Sequence, residues 1–88
     1  MPKFLCIHTV PPKAVTIDQV KQVSHAAQTD KLVKGQRSFG SLSEGKIACV
    51  MEAPARQDVA GFFKSKNMPV DAIIQMDFEG ERGNVVTL

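Results

Sequence analysis

Hydrophobic and polar positions near the start of the chain follow the two-residue period of a β-strand. The segment KFLCIHTV, residues 3–10, is largely apolar and contains one histidine, and two prolines end it because proline cannot donate to a strand ladder. Successive side chains of a strand point to opposite faces, so Phe4, Cys6 and His8 share one face. The pattern predicts a buried strand that carries a histidine.

A helical period follows this strand. Thr16, with Gln19 three residues later, is typical of a capping box that begins a helix. The helix then has one predicted inward face, formed by Ile17, Val20, Val23, Ser24 and Ala27. His25 falls on the opposite face, so we expect it to be solvated.

The middle of the chain predicts a β-hairpin followed by a second helix. Two extended segments flank the letters SEG, and the second of them, Lys46–Glu52, is an apolar run typical of a central strand. Pro54 fits the first turn of the helix, and Asn67 and Pro69 end it. The predicted inward side chains of this helix are Ala55, Val59, Phe62, Phe63 and Lys66.

The last predicted strand, Asp71–Glu79, alternates apolar and polar side chains. The order βαββαβ predicts an α+β, ferredoxin-like sandwich with two helices on one face of a four-stranded antiparallel sheet. Residues 1–88 then form a single domain, with a tail at about 80–88 that begins as a glycine-rich turn and ends in apolar residues. We expect that tail to pack on its own sheet or on a partner.

The central strands one and three are expected to be parallel neighbours, with Leu5, Ile7, Ala48 and Val50 facing the helices. The open face of the sheet then receives Phe4, Cys6, His8, Ile47, Cys49 and Met51, together with Arg37 and Phe39 from strand two and Gln75 and Asp77 from strand four. Such an apolar face should be covered. The interpretation is a homodimer formed sheet against sheet, with the cysteines, His8 and Arg37 in or near the interface.

Composition narrows the function classes only slightly. The chain has 88 residues, 43% of them hydrophobic, and its net charge of +2 comes from scattered lysines. Without a basic block or an apolar run long enough to span a bilayer, we expect no nucleic-acid partner and no membrane partner. A cytoplasmic location is expected, and both cysteines should then be free thiols.

Several chemistries of this fold lack their residues here. The loop after the first strand, TVPPKAV, has no CxxC for a heavy-metal chaperone, and KIACVME has no aromatics on which bases could stack. A phosphate-binding glycine loop, a Ser-His-Asp set and a paired-carboxylate motif are also missing. The sequence therefore contains no complete catalytic motif.

One group of side chains on the predicted open face could bind a metal. Cys6, His8 and Cys49, with Met51 beside them, are soft or borderline donors that suit nickel, zinc or copper. Two buried thiols, a core methionine and a hydrogen-bonded histidine would explain the same residues. Arg37 is a cation and cannot ligate a metal, but with Met51 it could contact a small anionic ligand beside His8.

Three segments, MPKFLCIHTVP, RSFGSLSEGKIACVMEAP and NMPVDAIIQMDFEG, resemble a family of small ferredoxin-like proteins of unknown function that includes a nickel-binding bacterial protein. The resemblance covers nearly the whole chain. It implies a homodimer, with nickel or another divalent transition metal as a ligand, and it names no reaction. Cys49 matches the cysteine before VMEAP, whereas Arg37 stands where members commonly have histidine.

Two other functions stay open on the sequence. Dimers of this fold also serve as cofactor-independent oxygenases or isomerases, in which a histidine such as His8 would act as a base on a hydrophobic substrate. A ligand-binding module without chemistry of its own is the other alternative.

Overall fold

The fold is built on a central strand, β1, that pairs along both of its edges. In the computed structural model, which describes all 88 residues, the elements are β1 (Lys3–Thr9), α1 (Ile17–Thr29), β2 (Lys34–Ser41), β3 (Lys46–Glu52), α2 (Arg56–Ser65), β4 (Ala72–Gln75), β5 (Phe78–Glu81) and β6 (Asn84–Thr87). The main sheet has the order β2-β3-β1-β4. This α+β arrangement of two helices and four antiparallel strands is compatible with the predicted ferredoxin-like sandwich.

Two details of the predicted sheet are wrong. β1 and β3 are antiparallel neighbours, with Cys6 directly opposite Cys49, and not parallel ones. The single final strand predicted over 71–79 ends early at Gln75, and β5 instead pairs with β6 in a separate two-stranded hairpin. The C-terminal tail is therefore a structured element of its own.

The helices begin largely as their sequences dictate. Thr16 caps α1 with the predicted box: its hydroxyl accepts from the Gln19 N–H at 3.2 Å, and its own N–H donates to the Gln19 side chain at 2.8 Å. α2 begins at Arg56, two residues after Pro54, and the carboxylate of Asp58 accepts the Ala55 N–H at 3.1 Å. Pro54 thus precedes the helix and is not part of its first turn.

The two faces of the sheet are exchanged relative to the prediction. Phe4, Cys6 and His8 face the helices, with their side chains almost completely buried. Their neighbours on β3 face the same way. The core cluster is Phe4, Cys6, Ala27, Val33, Met51, Ala53, Val59, Phe62 and Phe63. The open face instead receives Leu5, Ile7, Ala48, Val50 and Ile74, which alternate with the core residues.

A β-bulge in β2 changes its alternation. Gly35 pairs with Met51, but Arg37 pairs with Val50, so Gln36 is an extra residue between them. After the bulge, Ser38 lies opposite Cys49 on the helix side. Arg37 and Phe39 consequently lie on the open face, as predicted, although beside Val50 and Ala48 and not beside Met51 and Cys49.

α1 is anchored to the sheet mainly through its C-terminal half. A Cβ built on Gly35 would lie 3.1 Å from the Ala27 methyl group, which shows how closely the helix approaches β2 there. The Gln28 amide donates to the Gly35 carbonyl at 2.6 Å in the same region. At the other end of α1, Ile17 is 58% exposed although the sequence predicts that it faces inward. The N-terminal half of the helix therefore covers the sheet less tightly.

The β5–β6 hairpin lies beside the open face of the sheet. Two ion pairs connect it to the sheet, Lys3–Glu79 at 2.5 Å and Arg37–Glu81 at 3.6 Å. A recess of about 500 Å³ separates the hairpin from the open face. Neither helix of the protein is long and apolar enough to cross a membrane.

Gly45, at the end of the β2–β3 turn, offers a test of this fold. Its φ is +74°, and an added Cβ would lie 2.0 Å from the Val10 carbonyl oxygen. We expect Gly45→Ala to lower the free energy of unfolding by at least about 2 kcal/mol, measured by urea denaturation. Gly61→Ala is the matched control, because it lies in α2 with open space around it and should be neutral or stabilising by up to about 1 kcal/mol. Equal effects of the two substitutions would contradict the close contact at Gly45.

Candidate functional site

His8 is the only polar side chain among the fully buried residues of the protein. It lies on β1, on the face that packs against α2, and its ring meets Phe63 edge to face with centroids 4.5 Å apart. Two-residue alternation in β1 puts it there, because its neighbours Cys6 and Phe4 fill the same core. A buried imidazole needs partners for both of its nitrogens.

Only one of the two imidazole nitrogens has a partner. Nδ1 lies 2.8 Å from the Pro69 carbonyl oxygen, whereas Nε2 is buried without any hydrogen bond. A carbonyl can only accept, so Nδ1 carries the proton and donates, and Nε2 keeps a free lone pair. Burial lowers the pKa of His8, and the bond to Pro69 and the charge of Asp71 oppose this only in part. His8 is therefore a neutral imidazole with an unused acceptor.

The Pro69 carbonyl is positioned by the way α2 ends. Asn67 adopts a left-handed backbone with φ of 55°, its N–H donates to the Lys64 carbonyl at 3.1 Å, and the Met68 N–H donates to the Phe63 carbonyl at 3.0 Å. These two bonds form a Schellman motif, which closes the helix and turns the chain. The turn brings the following proline back against β1, where its carbonyl meets His8.

Cys49 lies on the same face of the sheet as His8, two residue pairs further along β3. It pairs directly with Cys6, while His8 pairs with Ile47, so His8 and Cys49 are diagonal neighbours. Such neighbours lie about 7 to 8 Å apart, within reach of long side chains. Burial raises the pKa of the Cys49 thiol, and a hydrogen bond with the Ser38 side chain opposes this.

Cys6 differs from Cys49 in how deeply it is buried. Its thiol has no exposed surface and donates to the Phe4 carbonyl at 3.8 Å. Burial, with a smaller contribution from Cys49, raises the pKa of Cys6 to about 12. Both cysteines are free thiols, as the sequence predicts. Of the two, Cys49 is the one that solvent can approach.

Two small cavities lie between α1 and the sheet, and Cys49 and Ser38 form part of the wall of both. One, of about 150 Å³, lies under the N-terminal half of the helix and extends to the end of α2. The other, of about 160 Å³, lies beside the C-terminal half and is lined by Met51 and Phe63. The loose cover that α1 provides thus leaves room next to the Cys49 thiol.

The remaining predicted site residues are not brought together with His8. Arg37 lies on the opposite face of the sheet, where its guanidinium pairs with Glu81 and lies 4.9 Å from the centre of the Phe39 ring. The expectation that it holds an anion beside His8 is therefore wrong. Met51 is on the same side as His8, buried in the core.

No group of three or more His, Cys, Asp or Glu side chains lies close enough together to hold a metal ion. One chain therefore offers the His8 lone pair and a nearby thiol, and not a complete set of ligands. Sequence reasoning missed two groups that shape this site, the Pro69 carbonyl and the Ser38 hydroxyl. No sequence signal marks the carbonyl, and Ser38 reaches the helix side only because of the bulge at Gln36.

Comparison with known proteins places this geometry in a family. SCO4226 from Streptomyces coelicolor A3(2) has a crystal structure that superposes with a TM-score of 0.73 over 89% of this chain and 99% of its own, at 19% identity. This similarity concerns the fold. No curated protein matches the chain. The family model described as "Nickel responsive protein SCO4226-like" matches residues 4–76, so the chain belongs to the SCO4226-like family.

Proposed function

We propose that this protein binds a divalent transition metal, nickel first, with the Nε2 atom of His8 as its principal ligand. The observation that carries the proposal is the buried Nε2 atom without a partner. An unpaired buried polar group costs about 1 to 3 kcal/mol, so its presence calls for an explanation. The name of the family links it to nickel.

The surroundings of His8 suit a metal ligand in two respects. Metal-bound histidines usually donate their other N–H to a carbonyl or carboxylate, and the Pro69 carbonyl fills this role at 2.8 Å from Nδ1. The pKa of His8 is lowered by burial, so a proton competes less strongly for Nε2 at neutral pH. Both features favour a neutral imidazole, which is the form that binds metals.

Cys49 is the second ligand that we propose. A borderline cation such as nickel accepts both imidazole nitrogen and thiolate sulfur. Metal binding would have to displace the thiol proton, so affinity should rise with pH. Cys6 ranks behind Cys49, because its thiol already donates to the Phe4 carbonyl and its pKa is about 12. The other positions around the metal would be filled by water or a small ligand.

Nickel titration by calorimetry tests the metal site. We expect His8→Gln to weaken nickel binding by at least about tenfold, the loss typical when a ligand or its supporting shell is removed. The matched control is His25→Gln, which changes the only other histidine, an exposed residue of α1. Cys49→Ser should weaken binding less than His8→Gln. Binding that depends on His25 and not on His8, or no binding to the wild type, would refute the site.

The pH dependence of stability tests the neutral state of His8. Its pKa in the folded protein lies below the ordinary 6.5, so the unfolded chain binds more protons between these two values. The free energy of unfolding should therefore be fully maintained above about pH 6.5 and fall as the pH drops from there through the lowered pKa. Urea denaturation at a series of pH values measures this.

His8→Gln should remove this decrease, whereas His25→Gln should leave it. Asp30, whose pKa is lowered below 3.8 by the N–H groups of Leu32 and Val33, should give a separate loss of stability at more acid pH in all three proteins. Stability that stays constant between pH 6.5 and the Asp30 range in the wild type would contradict a neutral buried imidazole.

The same proposal includes a homodimer formed through the open face of the sheet. Phe39 and Ile74 on this face are 55% and 50% exposed. The apolar side chains of the hairpin, Phe78, Val85, Val86 and Leu88, are exposed as well. A two-stranded hairpin is at best marginally stable by itself, and a large apolar surface invites association. A second copy of the chain would cover both.

Light scattering on Ile74→Glu tests the dimer. We expect the wild type to have the mass of a dimer and Ile74→Glu that of a folded monomer, because an unpaired carboxylate is costly to bury in an interface. Leu32→Glu is the matched control: Leu32 is similarly exposed, at 52%, but lies in the loop after α1 and does not line the recess beside the open face. Ile47 is unsuitable, because it is buried within one chain and its substitution would test folding. A wild-type monomer that is stable to dilution would refute the dimer.

A further inference from the structure

The cavity under the N-terminal half of α1, called here the α1 cavity, is suited to a small ligand. Its volume is about 150 Å³, and an apolar cavity of this size accommodates a benzene ring. Its apolar wall includes Val15, Val20 and Val23, and the strand residues Cys49 and Ile47 line it as well. The close contacts of α1 with β2 are made by Ala27 and Gln28, more than one helical turn beyond Val23. The cavity is the space left under the earlier part of the helix.

The only charge in the lining of the α1 cavity is positive. Lys66 is the only charged residue that lines it, and no carboxylate does. The Lys66 ammonium has no ion pair within 4.0 Å and lies 5.6 Å from the centre of the Phe62 ring, although its charge helps to lower the pKa of the Asp30 carboxyl. Because the Schellman motif already satisfies the last carbonyls of α2, they do not require this ammonium. Lys66 therefore has no direct ion pair to break when it meets an anion.

Hydrogen-bonding groups also line the cavity. Asn67 follows Lys66 directly and is also exposed, so both lie at the mouth, whereas Ile47 is buried. The Asn67 amide can donate, as can the hydroxyl of Ser24 on α1. The cavity therefore combines an apolar interior with donors and a cation at its opening, the usual division of a small-molecule site.

We propose that the α1 cavity binds a small monocarboxylic acid with an aromatic or branched aliphatic body. The body would lie against the three valines, and the carboxylate would meet Lys66 and Asn67 at the mouth. This site is separate from the lone pair of His8, since His8 has no exposed surface and does not line the cavity. Cys49, the second ligand proposed for the metal, does line the cavity, so the binding of the acid is tested on the metal-free protein.

Titration with benzoate, followed by the backbone amide resonances of the metal-free protein, tests this site. We expect saturable shifts concentrated at residues that line the α1 cavity. Benzyl alcohol, which is similar in size but neutral, should bind more weakly. Lys66→Met should weaken benzoate binding by about fivefold, as expected for one partly exposed charge contact, and leave benzyl alcohol unaffected. Lys64→Met is the matched control, because Lys64 does not line the cavity.

Filling the α1 cavity provides the second arm of the test. Val20→Phe should abolish benzoate binding, and Val15→Phe, in the loop before α1, gives the same test if the helix variant does not fold. His8→Gln should leave benzoate binding unchanged. A failure of the metal site can therefore be distinguished from a failure of the benzoate site. Absence of saturable shifts at millimolar benzoate, equal binding of benzyl alcohol, or binding that survives the filled cavity would each overturn the proposal.

Discussion

The packing of the even-numbered side chains of β1 against α2 is the contact on which both layers of the fold depend. β1 pairs with β3 on one edge and with β4 on the other, so its register fixes the faces of three strands at once. Phe4 and Cys6 share one core cluster with the α2 residues Val59, Phe62 and Phe63, and the His8 ring packs on Phe63. The odd-numbered side chains consequently all go to the open face. Every candidate site of the protein follows from this single choice.

The order and type of the main elements could be predicted because they depend on local patterns. The capping box at Thr16, the glycine-containing turn before β3 and the chain stop at Asn67 each act within a few residues, and each appears in the structure. The α2 side chains Val59, Phe62 and Phe63 are buried as their helical spacing indicates. These features need no knowledge of the distant parts of the chain.

The face of the sheet could not be predicted for a physical reason. Both faces of β1 and β3 are apolar, so alternation groups the side chains correctly but does not say which group meets the helices. His8 makes the choice harder, because a histidine in an apolar strand suggests an exposed or interfacial position. It is buried because the loop after α2 supplies the Pro69 carbonyl, a partner 61 residues away in the chain. Such a contact has no trace in the local sequence.

The extra residue Gln36 in β2 has a consequence for how this chain can diverge. On its N-terminal side Gly35 follows one alternation, and beyond it Arg37, Ser38 and Phe39 follow the opposite one. If the bulge closed with Gln36 retained, the strand would keep a single alternation, which would place Arg37 beside Cys49 and Ser38 on the open face. Deletion of Gln36 would therefore leave both surfaces as they are, whereas closing the bulge by a shift of register would exchange their chemistry without a substitution on either. A sequence alignment that ignores the extra residue would match residues that lie on opposite faces of the sheet.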